Sequence, residues 1–226
     1  MIACGRKFKL KSSLQTLQWL IRLKDLLLCI VKHAKKVRHS FSKIGILYSK
    51  VKEGCDKVKE FFDSIKRRDP AARHWFQILL LYPGVQAVIW YRIAHRIYEW
   101  NFKLLAEWLM YMVRNCLNIE IHPAAKIGKR LFIDHGTGVV IGATSVIGDD
   151  VTMFHGVTLG GTGNATLGTK RHPTVEDRVV IGAGAKILGN VTLGHDCRIG
   201  ANAVVLKDVP AHATAVRIPA QVVGKR

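Results

Sequence analysis

Residues 175–199 read Val175-Glu-Asp-Arg-Val-Val-Ile181-Gly-Ala-Gly-Ala-Lys-Ile187-Leu-Gly-Asn-Val-Thr-Leu193-Gly-His-Asp-Cys-Arg-Ile199, with an aliphatic residue at every sixth position. The spacing continues to Val205, and a second series with the same period precedes it. That earlier series consists of Ile121, Ile127, Ile133, Val139, Val151 and Val157, with Ser145 as its one break. A six-residue period is typical of a parallel β-helix, in which one inward aliphatic side chain per short strand fills a narrow prism. An ordinary sandwich of short strands is not expected to keep this phase. The sequence therefore predicts a parallel β-helix over residues 119–210.

The positive charge of the chain is concentrated ahead of the repeats. The 226 residues carry a formal net charge of +19, and residues 1–68 hold 18 Lys and Arg against 5 Asp and Glu. Residues 1–50 form a basic, helix-prone extension in which Asp25 is the only acidic residue. Three interpretations of it stay open: a solvated or partner-packed helical extension, an amphipathic helix on a membrane surface, and an organellar transit peptide. No known nucleic-acid-binding motif accompanies the positive charge of this segment, so nucleic-acid binding is not expected.

Cysteine usage and the first apolar run both favour a cytoplasmic protein. The five cysteines are scattered without a C-x-x-C pair, which argues against a zinc cluster and against a secreted disulfide framework. The apolar run at residues 14–31 is interrupted by Arg22, Lys24 and Asp25, which argues against a secretory signal and a membrane span. We expect a cytoplasmic location, or an organelle if residues 1–50 are a transit peptide.

Residues 51–118 are predicted to form a helical domain. Asp69 followed by Pro70 predicts a helix start, with Asp69 as N-cap and Pro70 at the first helical position. This helix is expected to run to about Tyr82, where Pro83-Gly84 forces a turn. Two further helices are predicted over residues 85–100 and 102–117. Their broad apolar faces predict mutual packing and burial against a partner subunit.

Two segments of the repeat region carry candidate chemistry. His135 stands at the third position of its repeat and is expected to point away from the interior. Glu120 precedes it by nearly one coil of about eighteen residues, so the carboxylate could orient the imidazole for activating a hydroxyl. Spacing alone leaves open a surface histidine and an unrelated junction glutamate. The second segment is a glycine-rich, basic loop at residues 160–173, where function is expected because insertions project from the coils.

A metal site is a weaker interpretation of the same histidines. Five of them are available as zinc ligands, namely His122, His135, His155, His172 and His195. No pair has the spacing that makes a zinc site specific. We therefore predict no metal.

From about residue 51 to its C-terminus the chain resembles the bacterial-type serine O-acetyltransferases, whereas residues 1–50 lie outside the resemblance. The motifs that carry it are Arg68-Asp-Pro-Ala-Ala-Arg73, Leu80-Leu-Tyr-Pro-Gly84, Tyr91-Arg-Ile-Ala-His95, Ile121-His-Pro-Ala-Ala-Lys-Ile-Gly128, Ile133-Asp-His135, Val157-Thr-Leu-Gly-Gly-Thr162, Lys170-Arg-His-Pro173 and Ile181-Gly-Ala-Gly-Ala-Lys186. The resemblance implies a helical domain followed by a left-handed parallel β-helix. It also implies acetyl transfer from acetyl-CoA to the hydroxyl of L-serine, the first step of cysteine biosynthesis from serine.

The resemblance also implies roles for individual residues. His135 is the expected general base, and Glu120 is the expected residue that orients it. Serine is expected to contact Asp69 and Asp134 with its ammonium and Arg171 with its carboxylate, and His172 completes the pocket. Acetyl-CoA is expected to lie along Gly161, Ala183 and Ala201. The reaction needs neither a metal nor a covalent enzyme intermediate.

The family resemblance further implies a homotrimer or a dimer of trimers, with the active site between adjacent subunits. Two departures accompany it. Ala143 stands where the family usually has Glu, which puts the rate or the serine affinity in doubt. The tail at residues 211–226 does not end in the Ile by which many relatives dock into cysteine synthase, which argues against that partnership. Three alternatives remain: a hexapeptide acyltransferase for a sugar or another acceptor, a non-catalytic scaffold docked by its basic N-terminus, and a zinc lyase.

Overall fold

The computed structural model describes Ser49 and residues 52–163 and 168–225. Contacts divide the chain into two compact units, Met1–Val58 and Lys59–Arg226. In the first unit, residues 52–58 are helical. The basic extension and its three interpretations lie outside the described residues, except for Ser49. Within the described ranges, no helix is both long enough and apolar enough to cross a bilayer.

The second unit begins with four helices. They are α1, a helix of residues 52–68 that belongs to this unit from residue 59, α2 at Trp75–Leu81, α3 at Pro83–Glu99 and α4 at Lys103–Leu117. The helices predicted over residues 85–100 and 102–117 are thereby confirmed, and every end lies within two residues of its prediction.

The predicted helix start at Asp69 is wrong. Asp69 accepts the expected hydrogen bond from the backbone N–H of Ala71, at 2.8 Å. That bond closes an isolated turn at residues 70–71, and α2 begins only at Trp75. The new start is set by the side chain of Gln77, which accepts the backbone N–H of Arg73 at 3.1 Å. Asp69 is therefore a loop residue between two helices, and its carboxylate is not committed to a helix terminus.

Residues 119–216 wind into a three-sided parallel solenoid. Its strands are β1 (Ile119–Ile121), β2 (Lys126–Ile127), β3 (Phe132–Ile133), β4 (Val139–Ile141), β5 (Val146–Ile147), β6 (Thr152–Met153), β7 (Thr158–Gly160), β8 (Thr174–Val175), β9 (Val180–Ile181), β10 (Lys186–Leu188), β11 (Thr192–Leu193), β12 (Arg198–Ile199), β13 (Val204–Val205), β14 (Ala213–Val216) and β15 (Gln221–Lys225). Sheet A is β1-β4-β7-β10-β13, sheet B is β2-β5-β8-β11, and sheet C is β3-β6-β9-β12-β14-β15. The antiparallel strand β15 covers the free edge of β14. The predicted fold, helices followed by a left-handed parallel β-helix, is confirmed.

One corner of the solenoid is two residues longer than the equivalent corner of the next coil. Ile133 pairs with Met153 on sheet C, and Val140 pairs with Thr158 on sheet A. Seven positions separate the first residues of these pairs, whereas five separate the second residues. The extra residues lie between β3 and β4, in the corner that contains His135.

This longer corner corrects the predicted phase of the repeat. Val139 and Ile141 of β4 both point inward, but Ile141 and not Val139 continues the series of Ile133, because Ile141 pairs with Ile121. From there the inward series is Ile141, Ile147, Met153 and Leu159, followed after the loop by Val175, Ile181, Ile187, Leu193, Ile199 and Val205. The predicted positions Val139, Ser145, Val151 and Val157 are a second, also buried, set that lies two residues earlier. Ser145 is therefore not a broken strand position.

Helix α3 covers the first coil of the solenoid through the Tyr91-Arg-Ile-Ala-His95 motif. The buried Tyr91 hydroxyl donates to the Ala125 carbonyl at 2.5 Å. His95 Nδ1 donates to the Pro123 carbonyl at 2.7 Å. The Arg92 guanidinium donates to two further carbonyls of the same coil. The motif thus satisfies backbone oxygens at the open end of the β-helix.

The outward faces of α2, α3 and α4 expose large apolar side chains. Leu104 is 82% exposed, and Trp75, Trp90, Trp100 and Trp108 are all exposed in the isolated chain. Mutual packing of α3 and α4 is confirmed by the buried side chains on their facing surfaces, such as Val88 and Met110. Burial of the outward faces against a partner subunit stays a prediction.

Candidate active site

His135 lies on the long corner between β3 and β4 and projects into solvent. Its side chain is 78% exposed, and its Nε2 lies 3.9 Å from Asp134 Oδ1. The His155 ring of the next coil lies perpendicular to it, with 6.3 Å between centroids. The corner folds back on β1 with His135 at φ 59° and Gly136 at φ 74°. A Cβ on Gly136 would overlap the Ile119 side chain, so this turn requires glycine.

The loop after α1 brings Asp69 to the same region. The Tyr82 hydroxyl donates to Asp69 Oδ2 at 2.5 Å. Burial, this hydrogen bond and the charges of Asp69 and Asp134 raise the pKa of Tyr82 to about 12. Both carboxylates therefore act on one hydroxyl. We call Asp69, Tyr82, Asp134, His135 and His155 the His135 group.

A second set of side chains surrounds His172 at the end of the loop. The backbone N–H of Thr144 donates to His172 Nδ1 at 3.1 Å, so the ring proton is on Nε2. Burial, followed by the positive charges of Arg171 and its neighbours, lowers the pKa of His172. The ring lies against Gly142, where a Cβ would overlap it. His172 is thus a neutral imidazole that can donate a hydrogen bond from Nε2.

Thr144 holds this end of the loop, although no sequence motif points to it. Its Oγ1 accepts the backbone N–H of Arg171 at 3.0 Å and that of His172 at 3.1 Å. The residue directly follows Ala143, the departure from the family pattern, and that neighbour was the one available signal. In the sequence Thr144 resembles any other residue beside a strand. Its role depends on the loop, which returns to it at Arg171 and His172.

Glu120 lies with His122 and Arg171, and among the described residues it makes no ion pair with His135. Its carboxylate pairs with Arg114 Nη1 at 3.0 Å. Burial lowers the pKa of His122. The negative charges of Glu107 and Glu120 oppose that shift, and the positive charge of Arg171 adds to it. Because charges act on a titrating group only at short range, His122, Glu120 and Arg171 share one region. We call Glu120, His122, Thr144, Arg171 and His172 the His172 group. In the described parts of the chain, no hydrogen bond or ion pair joins the two groups.

The expected acetyl-CoA positions lie next to these groups. The backbone N–H of Gly184 donates to the His155 carbonyl, and that of Asn202 donates to the Ala183 carbonyl. His155, Ala183 and Ala201 therefore occupy the same corner in successive coils, about 4.8 Å apart. Gly182, Gly184 and Gly200 flank the two alanines in the sequence. Gly161 directly follows β7 and lies near the Arg171 carbonyl.

The histidines considered as zinc ligands are divided among three places. His135 and His155 lie in one group and His122 and His172 in the other. His195 lies between sheets B and C, where it gathers with Asp196 and His212. Both oxygens of Asp196 are already bound by Arg178, at 2.8 and 2.7 Å. The absence of a metal stays a prediction.

Comparison with known proteins assigns the chain to a family. Residues 172–207 match the family described as bacterial transferase hexapeptide (six repeats). The serine acetyltransferase of Helicobacter pylori strain J99 is 55% identical over 163 residues, which cover 72% of this chain and 94% of that protein. The chain belongs to the serine acetyltransferase family. It is therefore an acyltransferase, and the resemblance of the sequence motifs is confirmed.

Solved structures of serine acetyltransferases have the same fold. The Neisseria gonorrhoeae serine acetyltransferase in complex with serine is 41% identical, with a TM-score of 0.70 over 74% of this chain and 68% of that chain. A serine acetyltransferase in complex with CoA is 46% identical, with a TM-score of 0.69 over 74% and 68% of the two chains. Both ligands named for these relatives are small molecules of the expected reaction.

Replacing Thr144 by Val in this serine acetyltransferase is expected to weaken the binding of serine, because the loop that carries Arg171 and His172 is then held less firmly. The substitution keeps the shape of the side chain but leaves the N–H groups of Arg171 and His172 without their acceptor. The lost bond of the buried His172 costs about 1–3 kcal/mol, whereas the N–H of the exposed Arg171 can bind water instead. We expect the KM for L-serine to rise about ten-fold, measured by steady-state kinetics.

Thr192→Val is the matched control for this prediction. Thr192 lies on the solenoid strand β11 and is held through its backbone, whose N–H donates to Asp208 Oδ1 at 2.7 Å. Its replacement should leave the KM for L-serine unchanged. An unaltered KM in Thr144→Val would show that the loop is positioned by other contacts.

Proposed function

We propose that His135 is the general base of the serine O-acetyltransferase activity that family membership assigns to this chain. In this reaction the acetyl group of acetyl-CoA passes to the hydroxyl of L-serine, giving O-acetyl-L-serine and CoA. The observation that supports the assignment is the exposed imidazole of His135 on a lengthened corner, with the carboxylates of Asp69 and Asp134 nearby. An accessible imidazole offers a ring nitrogen that can accept a proton.

The proposed reaction has two proton transfers through one side chain. His135 removes the hydroxyl proton of serine while the oxygen attacks the thioester carbonyl. The tetrahedral intermediate then expels the CoA thiolate, which receives the proton from His135. General-base catalysis of this kind contributes about 10²- to 10⁴-fold to the rate. No bond to the enzyme forms, so the transfer is direct.

The proposed serine pocket uses both groups. Asp69 and Asp134 bind the ammonium of serine, and Arg171 binds its carboxylate with two parallel N–H donors. His172 donates from Nε2, which its contact with Thr144 leaves protonated. These residues complement an amino acid with a hydroxyl on its side chain.

The separation of the two groups supports an active site shared between subunits. Within one chain Glu120 pairs with Arg114 and makes no ion pair with His135. We propose that, in a homotrimer or a dimer of trimers, the His135 group of one subunit faces the His172 group of the next. Glu120 would then orient His135 across the interface. The corner at Ala183 and Ala201, together with Gly161, would receive the pantetheine arm of acetyl-CoA. The proposed reaction needs no metal, and its proposed location is the cytoplasm.

A panel of acceptors tests the proposed function. Purified full-length protein is mixed with acetyl-CoA and, in separate reactions, L-serine, L-threonine, ethanolamine, 3-hydroxypropionate or a galactoside, and the release of the CoA thiol is followed. L-Serine should exceed every other acceptor by on the order of 10²-fold or more in kcat/KM. Preference for the galactoside would instead indicate a sugar acetyltransferase. No release with any acceptor would indicate a non-catalytic scaffold.

A further inference from the structure

We infer that Tyr82 is a positioning residue that fixes the Asp69 carboxylate for the amino group of the acceptor. This inference rests on the proposed function, because it assigns to Tyr82 a part in recognising L-serine. Tyr82 was singled out in the sequence only as a member of the Leu80-Leu-Tyr-Pro-Gly84 motif.

Both oxygens of Asp69 are held by donors from its own chain. Oδ2 accepts from the Tyr82 hydroxyl at 2.5 Å, and Oδ1 accepts from the backbone N–H of Ala71 at 2.8 Å. An ionised carboxylate has about four acceptor sites, so roughly two remain for a ligand. Because one donor holds each oxygen, the plane of the carboxylate is set before a ligand arrives.

The ring of Tyr82 is itself fixed to the solenoid. It packs against Phe132 of β3, with 6.4 Å between centroids. The guanidinium of Arg68 also lies on Phe132, 5.4 Å from the ring centroid. Arg68 donates to the Arg130 carbonyl at 2.7 Å and to Thr152 Oγ1 at 3.1 Å. This stack therefore places the Tyr82 hydroxyl relative to the strands that lead to His135.

The backbone at Tyr82 explains why the hydroxyl reaches Asp69. Tyr82 ends α2 and precedes α3 with extended φ and ψ of −100° and 101°. Pro83 then starts α3, and Gly84 packs against the backbone of Ile133. The motif thereby turns the aromatic ring away from both helices and towards the loop that carries Asp69.

The hydroxyl also has an electrostatic role between two carboxylates. The raised pKa of Tyr82 keeps it protonated over the working pH range, so it always donates to Asp69. Asp134 lies close enough for its charge to act on the same hydroxyl. Without that donor, repulsion from Asp134 would favour rotation of Asp69 into solvent. Tyr82 thus keeps the two charges converging on one ammonium group.

Tyr82→Phe in the full-length protein tests this inference. The variant keeps the ring on Phe132 and removes only the hydroxyl. We expect the KM for L-serine to rise about ten-fold, as for loss of one hydrogen bond to a charged group. The KM for acetyl-CoA and kcat should change less than about three-fold, because neither depends on Asp69 binding the ammonium.

A second background separates positioning from a general structural effect. In an Asp69→Asn variant, adding Tyr82→Phe should change the KM for L-serine less than two-fold, since residues that act through one another are not additive. Tyr91→Phe is the matched control, because it removes another hydroxyl bound between helix and solenoid. It should lower the melting temperature without changing the KM for L-serine.

The possible outcomes divide clearly. An unchanged KM for L-serine in Tyr82→Phe, or a full ten-fold effect in the Asp69→Asn background, would overturn the role of Tyr82 while the wild-type activity stands. A wild-type protein that does not acetylate L-serine would overturn both this inference and the proposed function.

Discussion

Replacing His135 should lower kcat by about 10²- to 10⁴-fold, the contribution of a general base. The side chain is largely exposed and lies beside only Asp134 and His155 among the described residues, so its removal should not disturb the fold. Because His135 has a positive φ of 59°, Asn is the better replacement, since it tolerates that conformation more readily than Ala. Steady-state assays of CoA release with saturating L-serine and acetyl-CoA measure the effect.

His212→Asn is the matched control for this prediction. His212 is also exposed, also lies at a corner and also has φ 59°, but it lies outside both groups of the candidate site. Its replacement should leave kcat within about two-fold of the wild type. If His135→Asn turned over serine at the wild-type rate, His135 would not be the base, and the proposed mechanism would have to be abandoned.

Gly84→Ala should destabilise the protein strongly, although it lies in a helix. In an isolated helix, Ala is favoured over Gly by about 1 kcal/mol. Here a Cβ would overlap the carbonyl oxygen of Ile133 and approach the Ile133 Cβ to 2.8 Å. Those atoms belong to β3 and cannot rotate away, so α3 must move off the solenoid. We expect a net loss of about 3 kcal/mol, a fall of roughly 6–12 °C in Tm for a unit of this size.

The helical Gly54 gives the opposite expectation for the same substitution. No atom lies within 4 Å of the position that a Cβ on Gly54 would take, so Gly54→Ala should leave the melting temperature unchanged or raise it slightly. Thermal unfolding followed by circular dichroism compares the two variants. A stability of Gly84→Ala equal to that of the wild type would mean that α3 does not pack closely on β3.

The repeat predicted the β-helix but concealed its longer corner, for a physical reason. In a strand, side chains two residues apart point to the same face, so each short strand has two inward positions. An insertion of two residues moves a six-residue series from one inward position to the other. Val139 is therefore buried like Ile133, although the residue that occupies the position of Ile133 in β4 is Ile141. Ser145 was the one visible sign of this change.

The candidate residues were predictable as residue types, whereas their grouping was not. The family motifs point to Asp69, His135 and Arg171 without their three-dimensional relations. A separation of fifteen residues suggested that Glu120 contacts His135 in one chain, yet in the structure Glu120 pairs with Arg114. The number of residues between two positions indicates which coil each one occupies. It does not indicate which side chains each one contacts. Thr144 and Tyr82 act through single hydrogen bonds that have no sequence period.

The sequence by itself determined the solenoid, the helices ahead of it and the family, because each depends on a local or repeating pattern. Only the tertiary structure decided that His135 stands on a lengthened corner and that the Tyr82 hydroxyl binds Asp69 within reach of the charge of Asp134. It also decided that the remaining site residues gather around His172. These relations depend on contacts between segments far apart in the chain, such as Gly84 on Ile133 and Arg68 on Arg130. Such contacts follow from packing in three dimensions, which no local pattern records.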